Sequence, residues 1–185
     1  MFNNSQFLYR LPPDCKLFAI LVPCLCPLNK PAIKNLVMEE TRKPEDLSRF
    51  LEWKNSWSDP EPMDVWQYIS FNIHPEDVLL LGCLLLPEFL EYEGGVFLAQ
   101  NFRQEIVQGR SVYEAELAVN TVLIYELFEQ ARHVDDPVFT ALGQLLQKSW
   151  TGQLLQTFPD RTFRVELLLD ERNYGPLLRF YQSAE

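Results

Sequence analysis

The sequence predicts an α+β fold in a single domain, with about five helices packed on a small, mostly antiparallel sheet. Two segments alternate apolar and polar residues in the manner of β-hairpins. One is 89–98, where Gly94 and Gly95 supply a tight turn, and the other is 162–182. The segments with helical periodicity do not alternate with single strands. This order favours α+β over a doubly wound parallel sheet.

The N-terminal part of the chain predicts one strand. Lys16–Val22 is apolar enough for a fully buried strand, and Pro23 ends it because proline has no N–H to donate. We interpret residues 1–34 as this strand and an extension of the single domain 1–185. The apolar run Leu17–Leu28 covers twelve residues, too few to span a bilayer, and no compact basic start precedes it. The expected location is therefore the cytoplasm.

Helix-start signals divide the middle of the chain. Pro44 opens a first helix, and a second begins near Met63. The residues of the second helix that are expected to face inward are Val65, Trp66, Ile69 and Phe71. Pro75 starts a third helix, in which Val78–Leu86 is apolar nearly all round. A helix without a polar face is expected to be buried on several sides, so this one is predicted to be central.

A longer helix is predicted after Ser111. Ser111 and Glu114 have the spacing of a capping box, and the helix is expected to continue to about Gln130. Its expected inner face consists of Tyr113, Leu117, Ile124, Leu127 and Phe128. Asn120 lies among apolar residues, so its amide needs hydrogen-bond partners if it is buried.

The last third of the chain predicts one more helix and the second hairpin. Asp135-Asp136-Pro137 opens the helix and Pro159 marks its limit. Apolar residues recur in it at helical intervals, at Val138, Phe139, Leu142, Leu145, Leu146, Trp150 and Leu154. The hairpin is expected to turn its apolar residues inward, namely Phe163, Val165, Leu167, Leu169, Leu178 and Phe180.

The charge distribution excludes several classes of partner. The net charge is −10, and residues 55–102 contain eight acids but no Lys or Arg. The eight acids are Asp59, Glu61, Asp64, Glu76, Asp77, Glu88, Glu91 and Glu93. Such a stretch repels phosphate backbones and anionic membranes, so we expect a protein partner with a basic surface, and neither nucleic acid nor membrane. Residues 1–34 carry a balance of +3, and they either fold over the acidic body or form a separate contact surface.

The cysteines are expected to be reduced. Cys15, Cys24, Cys26 and Cys83 lack the spacing of a disulfide framework. The close pair Cys24 and Cys26 has neither a second cysteine pair nor a histidine pair at zinc-ligand spacing. The cysteines are interpreted as small apolar side chains, with a metal or redox function of Cys15, Cys24 and Cys26 as the alternative.

No motif identifies an enzyme. The sequence lacks a glycine-rich phosphate loop, a dinucleotide fingerprint and a nucleophile elbow, and we expect no cofactor. An enzyme that uses carboxylates or a cysteine of the pair Cys24 and Cys26 remains the alternative. Glu76 and Asp77 are candidate acid–base residues, although acids at a helix start also complement the helix dipole.

Two clusters on the hairpins are candidate binding sites. Glu88, Glu91, Tyr92 and Glu93 surround the first hairpin, and they form either an acidic patch for a basic partner or a cation, or the solvated face of the ribbon. The second cluster is a set of arginines that suits either a clamp for carboxylate or phosphate or cross-strand ion pairs. Its members are Arg164, Arg172 and Arg179, and their candidate pairing acids are Glu166, Asp170 and Glu171.

Several short runs resemble an uncharacterised group of cyanobacterial proteins. These runs are His74-Pro75-Glu76-Asp77, Val96-Phe97-Leu98, Phe158-Pro159-Asp160-Arg161, Asn173-Tyr174-Gly175-Pro176 and Phe180-Tyr181-Gln182. The resemblance covers roughly residues 63–182. It implies a cyanobacterial, cytoplasmic setting without a known activity, and it carries over no functional residue.

These observations favour a non-enzymatic module that binds another protein through its acidic surface, as an assembly factor, adaptor or regulator. The expected contact residues are Glu88, Glu91, Tyr92 and Glu93. An enzyme with an unrecognised carboxylate or cysteine site is the alternative.

Overall fold

The computed structural model describes residues 42–131, 134–169 and 175–183. The predicted strand Lys16–Val22 lies outside these ranges, as do residues 170–174 of the predicted hairpin 162–182. The helices are α1 Ser48–Asn55, α2 Val65–Asn72, α3 Pro75–Leu85, α4 Gln104–Val107, α5 Val112–Val119 and α6 Asp136–Thr157, with 3-10 segments at Pro44–Asp46 and Ile124–Ala131. The strands are β1 Phe89–Tyr92, β2 Gly95–Leu98, β3 Thr121–Leu123, β4 Phe163–Leu168 and β5 Leu177–Gln182.

The strands form two small antiparallel sheets. β1 and β2 pair as a hairpin, and the second sheet has the strand order β3-β5-β4. The predicted α+β class is therefore confirmed, with the helices and antiparallel strands segregated as expected. Both predicted hairpin pairings, β1 with β2 and β4 with β5, are present.

Helix α6 forms the main core together with β4 and β5. Its buried residues recur at helical spacing, as Phe139, Gly143, Leu146, Trp150 and Leu154. The Trp150 ring meets Phe180 of β5 edge-on, at 6.1 Å between centroids. On β4, Phe163, Val165 and Leu167 pack against this core as predicted, whereas Leu169 lies beyond the strand end and is exposed.

The turn of the first hairpin differs by one residue from the prediction. Tyr92 pairs with Gly95, so the two turn residues are Glu93 and Gly94. Both have positive φ, 46° and 84°, which is the geometry of the two-residue turn that matches strand twist. Gly95 belongs to β2, where a Cβ would lie 2.5 Å from the Phe97 ring. The second glycine is therefore required for packing and not for the turn.

The predicted long helix from Ser111 is wrong after Val119. The capping box of Ser111 and Glu114 is present, but α5 ends at Val119 and the chain continues as β3. β3 pairs with β5, and this tertiary pairing overrides the helical periodicity of the sequence. The expected inner face is confirmed in part. Ile124 is fully buried and Phe128 packs against the main core, whereas Tyr113 and Leu127 are exposed. The buried residues of α5 itself are Ala115, Glu116 and Val119.

The side chain of Asn120 joins the two sheets. Its Oδ1 accepts a hydrogen bond from the Leu98 N–H at 2.9 Å, and its Nδ2 donates to the carbonyls of Val96 at 2.8 Å and Phe180 at 3.3 Å. Val96 and Leu98 belong to β2, and Phe180 belongs to β5. The expectation that a buried Asn120 needs partners for its amide is confirmed.

Glu116, one helical turn earlier, makes the same kind of link. Its Oε1 accepts from the Val96 N–H at 2.9 Å and from Gln182 Nε2 at 2.7 Å, and its Oε2 accepts from the Gln182 N–H at 2.8 Å. The residue is completely buried. Five backbone N–H or C=O groups are thus satisfied by the side chains of Glu116 and Asn120 instead of a further strand. Three of them belong to Val96 and Leu98 of β2, and two belong to the part of β5 that extends past its pairing with β3.

We predict that Asn120→Ala lowers the free energy of unfolding by about 2–4 kcal/mol, because three buried backbone groups lose the partner that the amide provides. Asn101→Ala is the matched control, since Asn101 makes one side-chain hydrogen bond, to the Val119 carbonyl. Its expected cost is about 1 kcal/mol or less. Urea unfolding followed by circular dichroism measures both values, and equal losses would contradict the bridging role of Asn120.

Candidate functional site

The four residues predicted to contact a partner lie on one hairpin. Glu88 precedes β1, Glu91 and Tyr92 are its last two residues, and Glu93 is the first turn residue. The three carboxylates are exposed and Tyr92 is half-buried. The four residues therefore lie in or next to β1 and its turn. Their side chains differ in what each contacts.

Tyr92 is held in place by its neighbours. Its ring packs against Phe102 at 5.3 Å between centroids, and its hydroxyl accepts a hydrogen bond from Gln104 Nε2 at 3.1 Å. The hydrogen bond to the Glu93 carboxylate, followed by burial, raises the pKa of Tyr92, whereas Gln104 lowers it. The raised pKa keeps the phenol protonated at neutral pH.

Glu91 is the one carboxylate of this cluster with a cationic partner among the described residues. Its Oε2 accepts a hydrogen bond from Arg161 Nη2, and the Arg161 guanidinium lies 5.5 Å from the centroid of the Phe158 ring. This pair ties the hairpin to the segment between α6 and β4. The charge of Glu91 is therefore already neutralised inside the molecule.

The other seven acids of residues 55–102 have no Lys or Arg within 4.0 Å among the described residues. Asp64 caps α2 by accepting from the N–H groups of Trp66 and Gln67. Glu76 lies 3.8 Å from His74 Nδ1, which accepts a hydrogen bond from the Glu76 N–H at 3.3 Å. The segment 55–102, which we name the cation-free stretch, therefore has most of its negative charge unpaired with Lys or Arg among the described residues.

The prediction that α3 is buried on several sides is wrong. None of its residues is buried, and Leu79 and Leu80 are 73% and 70% exposed. In the described structure the C-terminal end of the helix is fixed to the core, because Leu84 and Leu85 pack against it and their carbonyls accept hydrogen bonds from Trp150 Nε1 and Ser149 Oγ. The core forms between α6, β4 and β5, and within the described ranges it leaves the remainder of α3 uncovered.

The inward side of α2 is also different from the prediction. Trp66 is 78% exposed and Phe71 is 62% exposed. The residue that packs inward is Tyr68, whose ring meets Phe50 and Trp53 of α1 at 5.6 Å and 5.1 Å between centroids. The predicted start near Met63 is confirmed by the Asp64 cap, so the difference lies in which face of α2 meets α1.

A groove lies beside the exposed helix. It has a volume of about 600 Å³ and is lined by Leu79, Gly82, Cys83, Leu86, Glu88, Ala99 and Gln100. We name it the α3 groove. The Ala99 N–H donates to the Glu88 carbonyl at 2.9 Å, which holds together the wall opposite α3. One predicted contact residue, Glu88, thus lines a concave apolar surface.

Sequence reasoning missed the α3 residues of this groove. The run Val78–Leu86 was correctly predicted to be helical, but burial was inferred from its lack of polar residues. The signal for an open surface was Gly82, since a glycine inside an apolar helix marks a place where something approaches closely. That signal does not say whether the approaching group belongs to the same chain.

Two arginines of the second hairpin form ion pairs with Glu166, Arg179 across the strands and Arg164 along β4. Glu166 accepts from Arg179 Nη2 at 2.7 Å and Nε at 2.9 Å, and from Tyr181 Oη at 3.1 Å. Arg164 Nε lies 2.7 Å from the other carboxylate oxygen. Both arginines therefore pair with Glu166. Two of the three residues of the proposed clamp for carboxylate or phosphate are thus already paired within the protein. The third, Arg172, lies outside the described residues.

The thiol and metal hypotheses find no structural support in the described part of the chain. Cys15, Cys24 and Cys26 lie outside it, and Cys83 is exposed with its Sγ 3.5 Å from the Leu79 carbonyl. No three His, Cys, Asp or Glu side chains converge there to hold a metal ion. Glu76 and Asp77 are both exposed in the first turn of α3.

None of the helices in residues 42–131, 134–169 and 175–183 combines the length and apolar character needed to cross a membrane. Comparison with family models, with curated proteins and with solved structures finds no significant match to this chain. The cyanobacterial setting implied by the resemblance in short runs stays a prediction.

We predict that Glu166 contributes stability that is lost in acid. Hydrogen bonds from Arg179, and then from Tyr181, hold the pKa of Glu166 below its usual value of 4.5 against the opposing effect of burial. A carboxyl with a depressed folded-state pKa stabilises the fold above its unfolded pKa, and this contribution disappears as the pH falls through the folded pKa.

Wild type and Glu166→Gln are therefore expected to differ in free energy of unfolding at pH 7, with the wild type more stable. The difference should shrink as the pH falls below 4.5. Urea titrations at a series of pH values measure it. A difference that stays constant over the whole pH range would show that the ion pairs of Glu166 do not contribute.

Proposed function

We propose that the chain is a non-enzymatic, cytoplasmic module that binds a protein partner through its acidic surface. Glu88, Glu91, Tyr92 and Glu93 are the proposed contact residues, with Glu88 and Glu93 supplying charge that no internal cation offsets in the described structure. Assembly factor, adaptor and regulator are the roles that fit such a module.

The observation that carries the proposal is the uncompensated charge of the cation-free stretch. Seven exposed or capping carboxylates without a cationic partner in the described residues repel one another, which disfavours the compact state. A partner that brings Lys and Arg side chains removes this repulsion on binding. Electrostatic attraction of this kind speeds association and makes binding sensitive to salt.

The hairpin supports the proposal because it presents charge at an exposed tight turn. Glu93 is the first turn residue, with φ of 46°, and its side chain is exposed. Glu91 has a different role, since its pairing with Arg161 anchors the hairpin to the body of the protein. The partner is therefore expected to engage Glu88 and Glu93 more strongly than Glu91.

We predict that the double variant Glu88→Lys/Glu93→Lys loses the partner that wild type retains. The folded protein is immobilised, incubated at low salt with extract of the source organism, and the retained proteins are identified by mass spectrometry. Basic proteins that are released by raised salt are the expected wild-type result, because salt screens contacts between exposed charges.

The matched control is Glu52→Lys/Glu126→Lys, which makes the same change of net charge at two exposed residues outside the cation-free stretch. It should retain the same proteins as wild type. Absence of retained basic proteins at low salt, or an equal loss in both double variants, would contradict the proposal. Circular dichroism confirms that all variants are folded.

A further inference from the structure

The exposed side of α3 combines apolar and acidic groups. Glu76, Leu79, Cys83 and Leu86 are spaced three, four and three residues apart, so they lie along one face of the helix. Leu79 is 73% exposed and Leu86 is 57% exposed. Contiguous apolar surface with a polar rim marks an interaction site in soluble proteins.

Gly82 makes this face concave. A Cβ built on Gly82 meets no heavy atom within 4 Å, so the floor of the α3 groove is open space. The groove volume of about 600 Å³ falls within the range of ligand-binding clefts and exceeds what a single side chain fills. Several apolar side chains of one segment would fit there together.

The rim of the α3 groove is negative. Glu88 lines it, Glu76 lies one turn before Leu79 on the same face, and the cation-free stretch supplies no Lys or Arg. Charge complementarity therefore selects an occupant with basic side chains next to its apolar ones.

We propose that the α3 groove binds an amphipathic segment of a second protein that carries large apolar side chains beside Lys or Arg. An apolar side chain enters next to Gly82, and a basic side chain pairs with Glu88. This rests on the proposed function and specifies the chemistry of its partner. A second copy of this chain would bring the carboxylates of two equivalent rims together, and an anionic membrane would be repelled.

The test begins with Gly82→Leu, which fills the groove. Because the Cβ position is open and leucine favours helix more than glycine does by about 0.8–1 kcal/mol, the fold should be retained. Gly152→Leu is the matched control: Gly152 also lies inside a helix, α6, is exposed, and has nothing within 4 Å of its Cβ position. Leu79→Gln, at an already exposed residue, is a second variant that removes apolar surface.

The probe is a library of random linear peptides displayed on phage and selected against the folded full chain at low salt. Enriched peptides are expected to combine large apolar residues with Lys or Arg. A synthetic copy of an enriched peptide should bind wild type and Gly152→Leu equally, and bind Gly82→Leu and Leu79→Gln more weakly. The expected loss is about tenfold or more for Gly82→Leu, since burial of one apolar side chain is lost.

Of the remaining outcomes, one contradicts the α3 groove proposal alone and two contradict both proposals. Basic peptides without apolar residues that bind Gly82→Leu as well as wild type would overturn the α3 groove proposal and leave the acidic-surface function standing. Apolar peptides without basic residues, bound independently of salt, would overturn both proposals. No enrichment of any peptide over the library would also count against both.

Discussion

The fold depends on two polar side chains, Glu116 of α5 and Asn120 directly after it, which hydrogen-bond to backbone groups of both sheets. A two-stranded ribbon and a three-stranded sheet of short strands are marginal on their own. Glu116 and Asn120 offer acceptors and donors to both, so the free backbone groups of β2 and β5 are satisfied without a strand between them. A buried carboxylate is costly unless it is fully hydrogen-bonded, and here both of its oxygens are. The same arrangement requires α5 to end where it does, because Asn120 must reach both sheets.

This central connection does not involve the carboxylates of the cation-free stretch, residues 55–102. The main core is built by α6, β4 and β5, while α3 meets it near its C-terminal end, through the side chains and the carbonyls of Leu84 and Leu85. The apolar side of α3 and the carboxylates of the cation-free stretch are therefore not needed by the core that the structure describes. Exposed apolar surface and carboxylates that repel one another both cost free energy, and the described core uses neither. These two features are the physical basis on which a partner is proposed.

Local signals in the sequence were enough to locate most elements. Pro75, the Ser111 and Glu114 capping box and the Asp135-Asp136-Pro137 helix start act within one turn, and the hairpins follow from alternation and a glycine turn. The end of α5 was not predictable in this way, because β3 exists through its pairing with β5, more than fifty residues later. The prediction that α3 is buried failed for a related reason. The apolar sequence predicts that the segment is helical, but its burial depends on where the other elements pack. At the candidate site, the acids were evident from composition, whereas the pairing of Glu91 with Arg161 depends on a contact seventy residues apart.

The links from Glu116 and Asn120 run mostly to main-chain atoms, and this has a consequence for recognising divergent relatives. Side chains on β2 and β5 can change without disturbing those links, since any residue except proline offers the same amide and carbonyl. Positions 116 and 120 have no such freedom, as a shorter acid or an apolar residue would leave strand edges unmatched. Evolutionary drift is therefore expected to erase most of the sequence before it erases a glutamate and an asparagine four residues apart at the end of a short helix that follows a glycine-turn hairpin.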